Sequence, residues 1–254
     1  MRRSVVKNPA GRGGRWVEIA PERLPRWVDS FAERHDGPPT AVTDGSVLTL
    51  TAPDGSTAAL HPPFPPVPDL PVLVLPADPA PAVTADPGPS PAPAAAADLA
   101  AAVAAIVAHA QAARTVGVLL VRLGGYAAGV FTGSPPRLAE SKTGSRNVHG
   151  RSAAGGWSQH RFARRREKQA SEALKSATDA ALAVFGAVPA LDAVVLGGDK
   201  RTMTPLRDDP RLAPYLELAT DRFLTVPDPR RAVLEATPAA FTAIRAWLTD
   251  PPAS

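Results

Sequence analysis

The chain has 254 residues, enough to bury a sizeable core in one large domain or two small ones. It contains no cysteine, which excludes disulfides, zinc–thiolate sites and a cysteine nucleophile. The net charge of +4 is unevenly spread: from Arg137 to Lys175, seven arginines and three lysines stand against three glutamates, a local +7 that leaves −3 elsewhere. Such segregation fits a polyanionic partner, although a basic run is about as often a solvated helix face.

Met1-Arg2-Arg3 has no apolar stretch behind it, so no secretory signal is expected. The most apolar run, 94–113, is mostly alanine and carries Asp98 and His109, too polar for a bilayer span. The expectation is a cytoplasmic protein with no membrane partner.

Gly11-Arg12-Gly13-Gly14 precedes no helix and reads as a flexible basic tail. Helical spacing over 21–35 puts Leu24, Trp27, Val28 and Phe31 on one side. The runs 46–51 and 56–60 flank Pro53-Asp54-Gly55, a hairpin signal. These elements predict a small N-terminal α+β module over 1–61. From 62 to 93 prolines recur, removing backbone donors and fixing φ, so a Pro/Ala-rich linker is expected, with Pro71–Pro76 able to dock as a short edge strand.

The third segment, 94–250, is predicted to be an α/β domain with a mixed sheet and flanking helices. A helix over 94–114 leads into a buried strand, 116–123, a Gly124-Gly125 turn, a return strand, 126–132, and a third over 137–141. A polar, glycine-rich loop from Thr143 to Gly156 then opens into a long basic helix, about 157–185. A core strand follows over 191–196, then helices over 210–218, 230–236 and 238–248 with a short strand at 223–225.

Wound at 100° per residue, the long helix has Phe162, Ala170, Leu174, Ala177, Ala181, Val184 and Phe185 on one half. Arg161, Arg164, Arg165, Lys168 and Lys175 fall on the other, concentrated in the first turns. Cations there oppose the helix dipole, a poor choice for stability and a good one for holding phosphates bidentately. Arg166 falls on the apolar side, so those turns are expected to project beyond the core.

The segment from Ser145 to Lys168, with Gly155-Gly156 ahead of Arg161-Phe162-Ala163-Arg164, resembles the catalytic loop and following helix of archaeal and eukaryotic class I release factors. Ala193–Gly198 followed by Thr204-Pro205-Leu206 is similar to the next strand and loop of that family. The likeness covers about 115–248. Aligned without gaps, the family's catalytic glutamine falls on Trp157, and Gln159 comes two residues later. Gly-Gly-x-Ser-Gln in this setting is similar to the Vms-like branch, stand-alone peptidyl-tRNA hydrolases of ribosome quality control. The alternative relatives are Pelota-type factors, which share the fold and bind ribosomes without hydrolysis.

The resemblance implies ester hydrolysis on peptidyl-tRNA, with the large ribosomal subunit and ribosomal RNA as partners and no cofactor. It implies Gln159 as the residue that positions water and Gly155 and Gly156 as the backbone that approaches the ester. Arg146, Arg151, Arg161, Arg164, Arg165 and Lys168 are the expected RNA contacts. Trp157 either stacks on a base, worth about 1–3 kcal/mol, or plugs the loop from beneath. His149 and His160 lack a carboxylate nearby in sequence, Gly197-Gly198-Asp199-Lys200 is not a phosphate loop, and no cluster has metal-ligand spacing.

Overall fold

Two short alternating runs, Trp16-Val17-Glu18-Ile19 and Ile244-Arg245-Ala246-Trp247, lie at opposite ends of the chain and pair with each other. The computed structural model describes residues 13–73, 91–122, 124–145 and 158–251, excepting the side chains of 91–95 and 158–170. In chain order the elements are β1 (Gly14–Ile19), a 3-10 turn (Pro21–Arg23), α1 (Leu24–Arg34), β2 (Thr40–Thr43), β3 (Leu48–Thr51), β4 (Thr57–His61) and α2 (Pro91–Gln111). Next come β5 (Val116–Arg122), β6 (Gly125–Thr132), β7 (Arg137–Ser145), α3 (Ser158–Phe185), β8 (Ala193–Gly198) and α4 (Lys200–Arg207). The last are α5 (Ala213–Leu216), β9 (Ala219–Leu224), α6 (Arg231–Glu235), α7 (Thr237–Thr242) and β10 (Ile244–Thr249).

By internal contacts the chain divides into two units, Met1–Ala112 with Thr242–Ser254, and Ala113–Phe241. The first holds an antiparallel sheet in the order β1-β10-β4-β3-β2. Alternation sends Ile19, Leu48, Leu50, Ala58, Leu60, Ile244 and Ala246 to one face, where they join Leu24, Val28 and Phe31 of α1 and Ala102, Val103 and Ile106 of α2. The α1 set recurs at i, i+4 and i+7, the stripe its spacing predicts. Val67 and Leu70, inside the proline-rich stretch, are buried in the same core.

Several expectations change here. The helix expected over 238–248 stops at Thr242, and the rest is β10, because period-two burial of Ile244 and Ala246 wins over the helical start at Pro238. Gly14 is the first residue of β1 and Gly13 directly precedes it, so neither belongs to a tail, whereas Gly11 and Arg12 lie outside the described residues. Residues 71–73 form no strand, yet they dock on the edge of the sheet: Thr43 donates its backbone N–H to the Leu73 carbonyl at 3.0 Å and its hydroxyl to the Pro71 carbonyl at 3.2 Å. Residues 74–76 lie outside the described set. The helix α2, expected to open the α/β domain, contributes its apolar side to the core of the first unit.

The second unit is the mixed sheet, in the order β7-β6-β5-β8-β9. β5, β8 and β9 run parallel, while β6 and β7 return antiparallel as a meander. One face presents Leu119, Val121, Ala128, Val130, Val194 and Leu196 to Ala177, Ala180, Ala181, Val184 and Phe185 of α3. On the opposite face, α6 sits close enough over β6 that a side chain at Gly129 would meet Leu234 at 2.8 Å. From α7, Phe241 packs edge-on against Phe131 with centroids 5.6 Å apart. Helices on both faces of a mixed sheet make this an α/β fold, as the sequence predicts.

Candidate functional site

The registers bring several strand ends to one edge of the second sheet. Arg122 closes β5 opposite Gly125, Gly125 stands opposite Ser145 at the end of β7, and Val121 stands beside Gly198 at the end of β8. The segment between β7 and α3 therefore leaves from the edge to which the parallel strands point. Residues 143–145, expected in the glycine-rich loop, are the end of β7: their polar, exposed character belongs to an edge strand paired on one side only.

From that edge α3 runs back antiparallel to β7. Its last residue, Phe185, lies against the start of β5, where a Cβ on Gly117 would come within 3.0 Å of the ring. From Gly117 to Arg122 a strand covers roughly 17 Å, whereas α3 is about 40 Å long from Ser158 to Phe185. The helix thus outruns the sheet by roughly fifteen residues at its N-terminal end. Burial agrees: Ala177 is the first buried residue of the described side chains, and 171–176 are exposed or half-buried.

On this overhang lie Gln159, at the second position of α3, and Arg161, Arg164, Arg165 and Lys168 at i, i+3, i+4 and i+7. That spacing assigns the four basic positions to one stripe of the helix. Gly155, Gly156, Arg146, Arg151, Trp157 and His149 lie outside the described residues. His160 falls in the first turn of α3.

The base of the overhang is pinned. Arg211 donates from Nη1 to Asp179 of α3 at 2.9 Å and from Nη2 and Nε to Asp209 at 2.8 and 3.1 Å. These acceptors raise the Arg211 pKa further above its ordinary value and hold the Asp209 carboxyl below its own.

The turn after β8 reaches the same edge. Gly198 adopts φ +109°, and a Cβ there would fall 2.0 Å from the Val121 carbonyl oxygen, so only glycine fits. Asp199 then caps α4, accepting from the Thr202 hydroxyl at 2.8 Å and the Arg201 backbone N–H at 3.2 Å. These bonds, the hydroxyl foremost, hold its carboxyl below the ordinary value. The diglycine at 197–198 thus ends a strand and starts a capped helix. By spacing, 197–200 is not a phosphate loop, and its glycines close the strand that resembles the one in release factors. In the structure it sets exposed Lys200 and Arg201 at the edge from which α3 extends, and Lys200 Nζ stands 5.7 Å from the centroid of the Phe223 ring. Only the position of the glycine pair at the end of a core strand would have signalled this.

Among the described residues, no group of three or more histidines or acids has a geometry that could hold a metal ion. Among them, too, no helix is long and apolar enough to cross a membrane.

Comparison with curated proteins returned no match. A family model described as the Actinobacteria/Chloroflexi VLRF1 release factor matches residues 114–246, just over half of the chain and nearly all of the second unit. Release factors act in translation termination or ribosome rescue, which gives an overhanging basic helix a ribosomal setting. The mixed sheet, the long helix running out from its edge and the family match lead to one conclusion: the chain belongs to the VLRF1 release-factor family.

Proposed function

We propose that this protein is a codon-independent peptidyl-tRNA hydrolase acting on stalled ribosomes or their large subunits, with Gln159 aligning the attacking water. The observation that carries this reading is α3, whose first turn bears Gln159 and whose early turns bear a basic stripe beyond the sheet.

The substrate ester joins the nascent chain to the terminal ribose of tRNA. Water adds to its carbonyl carbon, the acyl–oxygen bond breaks, and the ribose oxygen leaves with a proton, giving free peptide and tRNA. An aminoacyl ester is already activated, so orientation of water and stabilisation of the oxyanion suffice. A glutamine amide carries both a donor and an acceptor and is neutral at every physiological pH, so it can orient water without titrating. Gly155 and Gly156 would allow close backbone approach to the ester, and the N-terminal amides of α3 favour the developing negative charge. Arg146, Arg151, Arg161, Arg164, Arg165 and Lys168 would hold ribosomal RNA or the acceptor stem, with Trp157 stacking on a base or ribose.

The test is peptide release from purified large subunits carrying peptidyl-tRNA. Wild type should release the chain, and Gln159→Ala should slow release about a hundredfold, the scale for losing one positioned polar group. Release unaffected by that change rejects the role of Gln159. Tight subunit binding without release by wild type supports the Pelota-like alternative, which the two-residue displacement of the glutamine from Trp157 favours.

A further inference from the structure

The outward face of the first sheet differs from its helix-covered face. Across β1, β10 and β4, Trp16 stands opposite Trp247, Glu18 opposite Arg245, and Arg245 opposite His61. Alternation places these five positions away from Ile19, Ala246 and Leu60, which lie in the core with α1 and α2. The rings form a cluster: Trp16 lies 5.1 Å from Trp247 and 5.2 Å from His61, centroid to centroid, and the Arg245 guanidinium carbon sits 4.3 Å from the Trp16 ring centre.

Two features are costly for a purely structural cluster. Trp16, on the edge strand β1, remains 37% exposed, a large apolar surface left in water. Beside it, Arg245 Nε and Trp247 Nε1 are enclosed without a hydrogen-bond acceptor. An enclosed donor without an acceptor costs free energy, so stability alone does not account for this cluster.

We propose that this face binds an unpaired RNA nucleotide, the base stacked on Trp16 and a phosphate or base carbonyl paired with Arg245. Each element suits that occupant. An indole accepts any nucleobase, because every base has a π face. The guanidinium, already held beside an indole by cation–π attraction, carries further donors that match a phosphate edge. Glu18, across from Arg245, sets the class of partner: a carboxylate repels the side chains of an acidic peptide but accepts N–H bonds from the edge of an unpaired base. Cytosine, whose exocyclic amino group offers two N–H donors, fits beside it better than uracil, whose single N3–H lies between two carbonyls. A duplex hides both its base faces and its pairing edges. This proposal does not depend on α3 being hydrolytic.

The experiment uses the full chain with Arg161→Glu and Arg164→Glu as background, to remove the contribution of the basic helix. Fluorescence anisotropy is read with labelled twelve-nucleotide oligo(C), oligo(U) and a fully paired duplex. Oligo(C) should bind more tightly than oligo(U). Trp16→Ala should weaken oligo(C) about fivefold or more while Trp16→Phe largely retains it, as expected for loss of base stacking. Glu18→Gln should narrow the gap between oligo(C) and oligo(U) without unfolding the sheet. Unchanged oligo(C) binding in Trp16→Ala, equal losses on single strand and duplex, or a gap that Glu18→Gln leaves intact each overturns the proposal. Should Trp16→Ala fail to fold, the Trp16→Phe and Glu18→Gln arms decide it.

Discussion

Gln159 and Ala177 stand eighteen residues apart on α3, five full turns, so their positions share one side of the helix. Ala177 is fully buried among the residues of the second sheet. Gln159 therefore belongs to the sheet-facing line of the helix, continued past the end of the sheet, while Arg161, Arg164, Arg165 and Lys168 belong to the opposite line. A helix lying with its basic line on RNA would turn the glutamine position away from that contact.

This phase relationship is testable by insertion. One alanine placed between residues 170 and 171 rotates the overhang by roughly 100° against the docked half, whereas four alanines return it to within roughly 40°. Peptide release should fall at least tenfold with one added residue and recover in part with four. Thermal melting should stay near wild type in both. Equal release by both insertions would show that the phase of the helix does not matter.

Charge reversal on the basic line tests the RNA contact separately. Arg161→Glu and Arg164→Glu should weaken co-sedimentation with large subunits. Each should also lower the slope of log affinity against log salt by about 1. Stability should change little, since these positions lie beyond the sheet.

Gly198→Ala should be among the most damaging single substitutions. Its φ of +109° already strains any other residue, and the new carbon would sit 2.0 Å from the Val121 carbonyl oxygen. A loss of about 3 kcal/mol or more in urea unfolding is expected, because the obstacle is backbone and cannot rotate away.

Among the described residues, three carboxyls lie below their ordinary value of 3.8: Asp54 through the Ser56 backbone N–H and then His35, Asp199 chiefly through the Thr202 hydroxyl, and Asp209 chiefly through Arg211. A group depressed on folding stabilises the fold above its unfolded value, and that contribution is lost as pH falls through the folded one. The urea midpoint should therefore be level near neutrality and drop below about pH 4. Asp199→Asn should be less stable than wild type at pH 7 and approach it at about pH 2. A constant difference between the two proteins across that range would contradict this account.

Much of this architecture was legible where periodicity and neighbours in sequence agreed. The apolar stripe of α1, the Asp54-Gly55 hairpin, the runs of β5 and β6, and the length of α3 each need only local information. β1 and β10 were missed because each finds its partners across nearly the whole chain, and a six-residue alternation is a weak signal by itself. α4 was missed because Pro205 and the diglycine before it read as breakers, although Asp199 and Lys200 start a capped helix. For the candidate site, the sequence puts Gln159 and the basic positions on one helix, and their spacing is a property of α3 itself. Lys200 and Arg201 escaped notice, since only the parallel pairing of β5 with β8 brings them to the same edge.

The place of β10 between β1 and β4 bears on how such a chain is born. During vectorial synthesis the contiguous stretch 113–241 can complete its sheet from residues already made. The first sheet cannot: until residues 244–249 leave the ribosome, β1 has no neighbour and β4 offers a bare flank. A region that begins emerging first must finish last, an order opposite to the usual N-terminal lead.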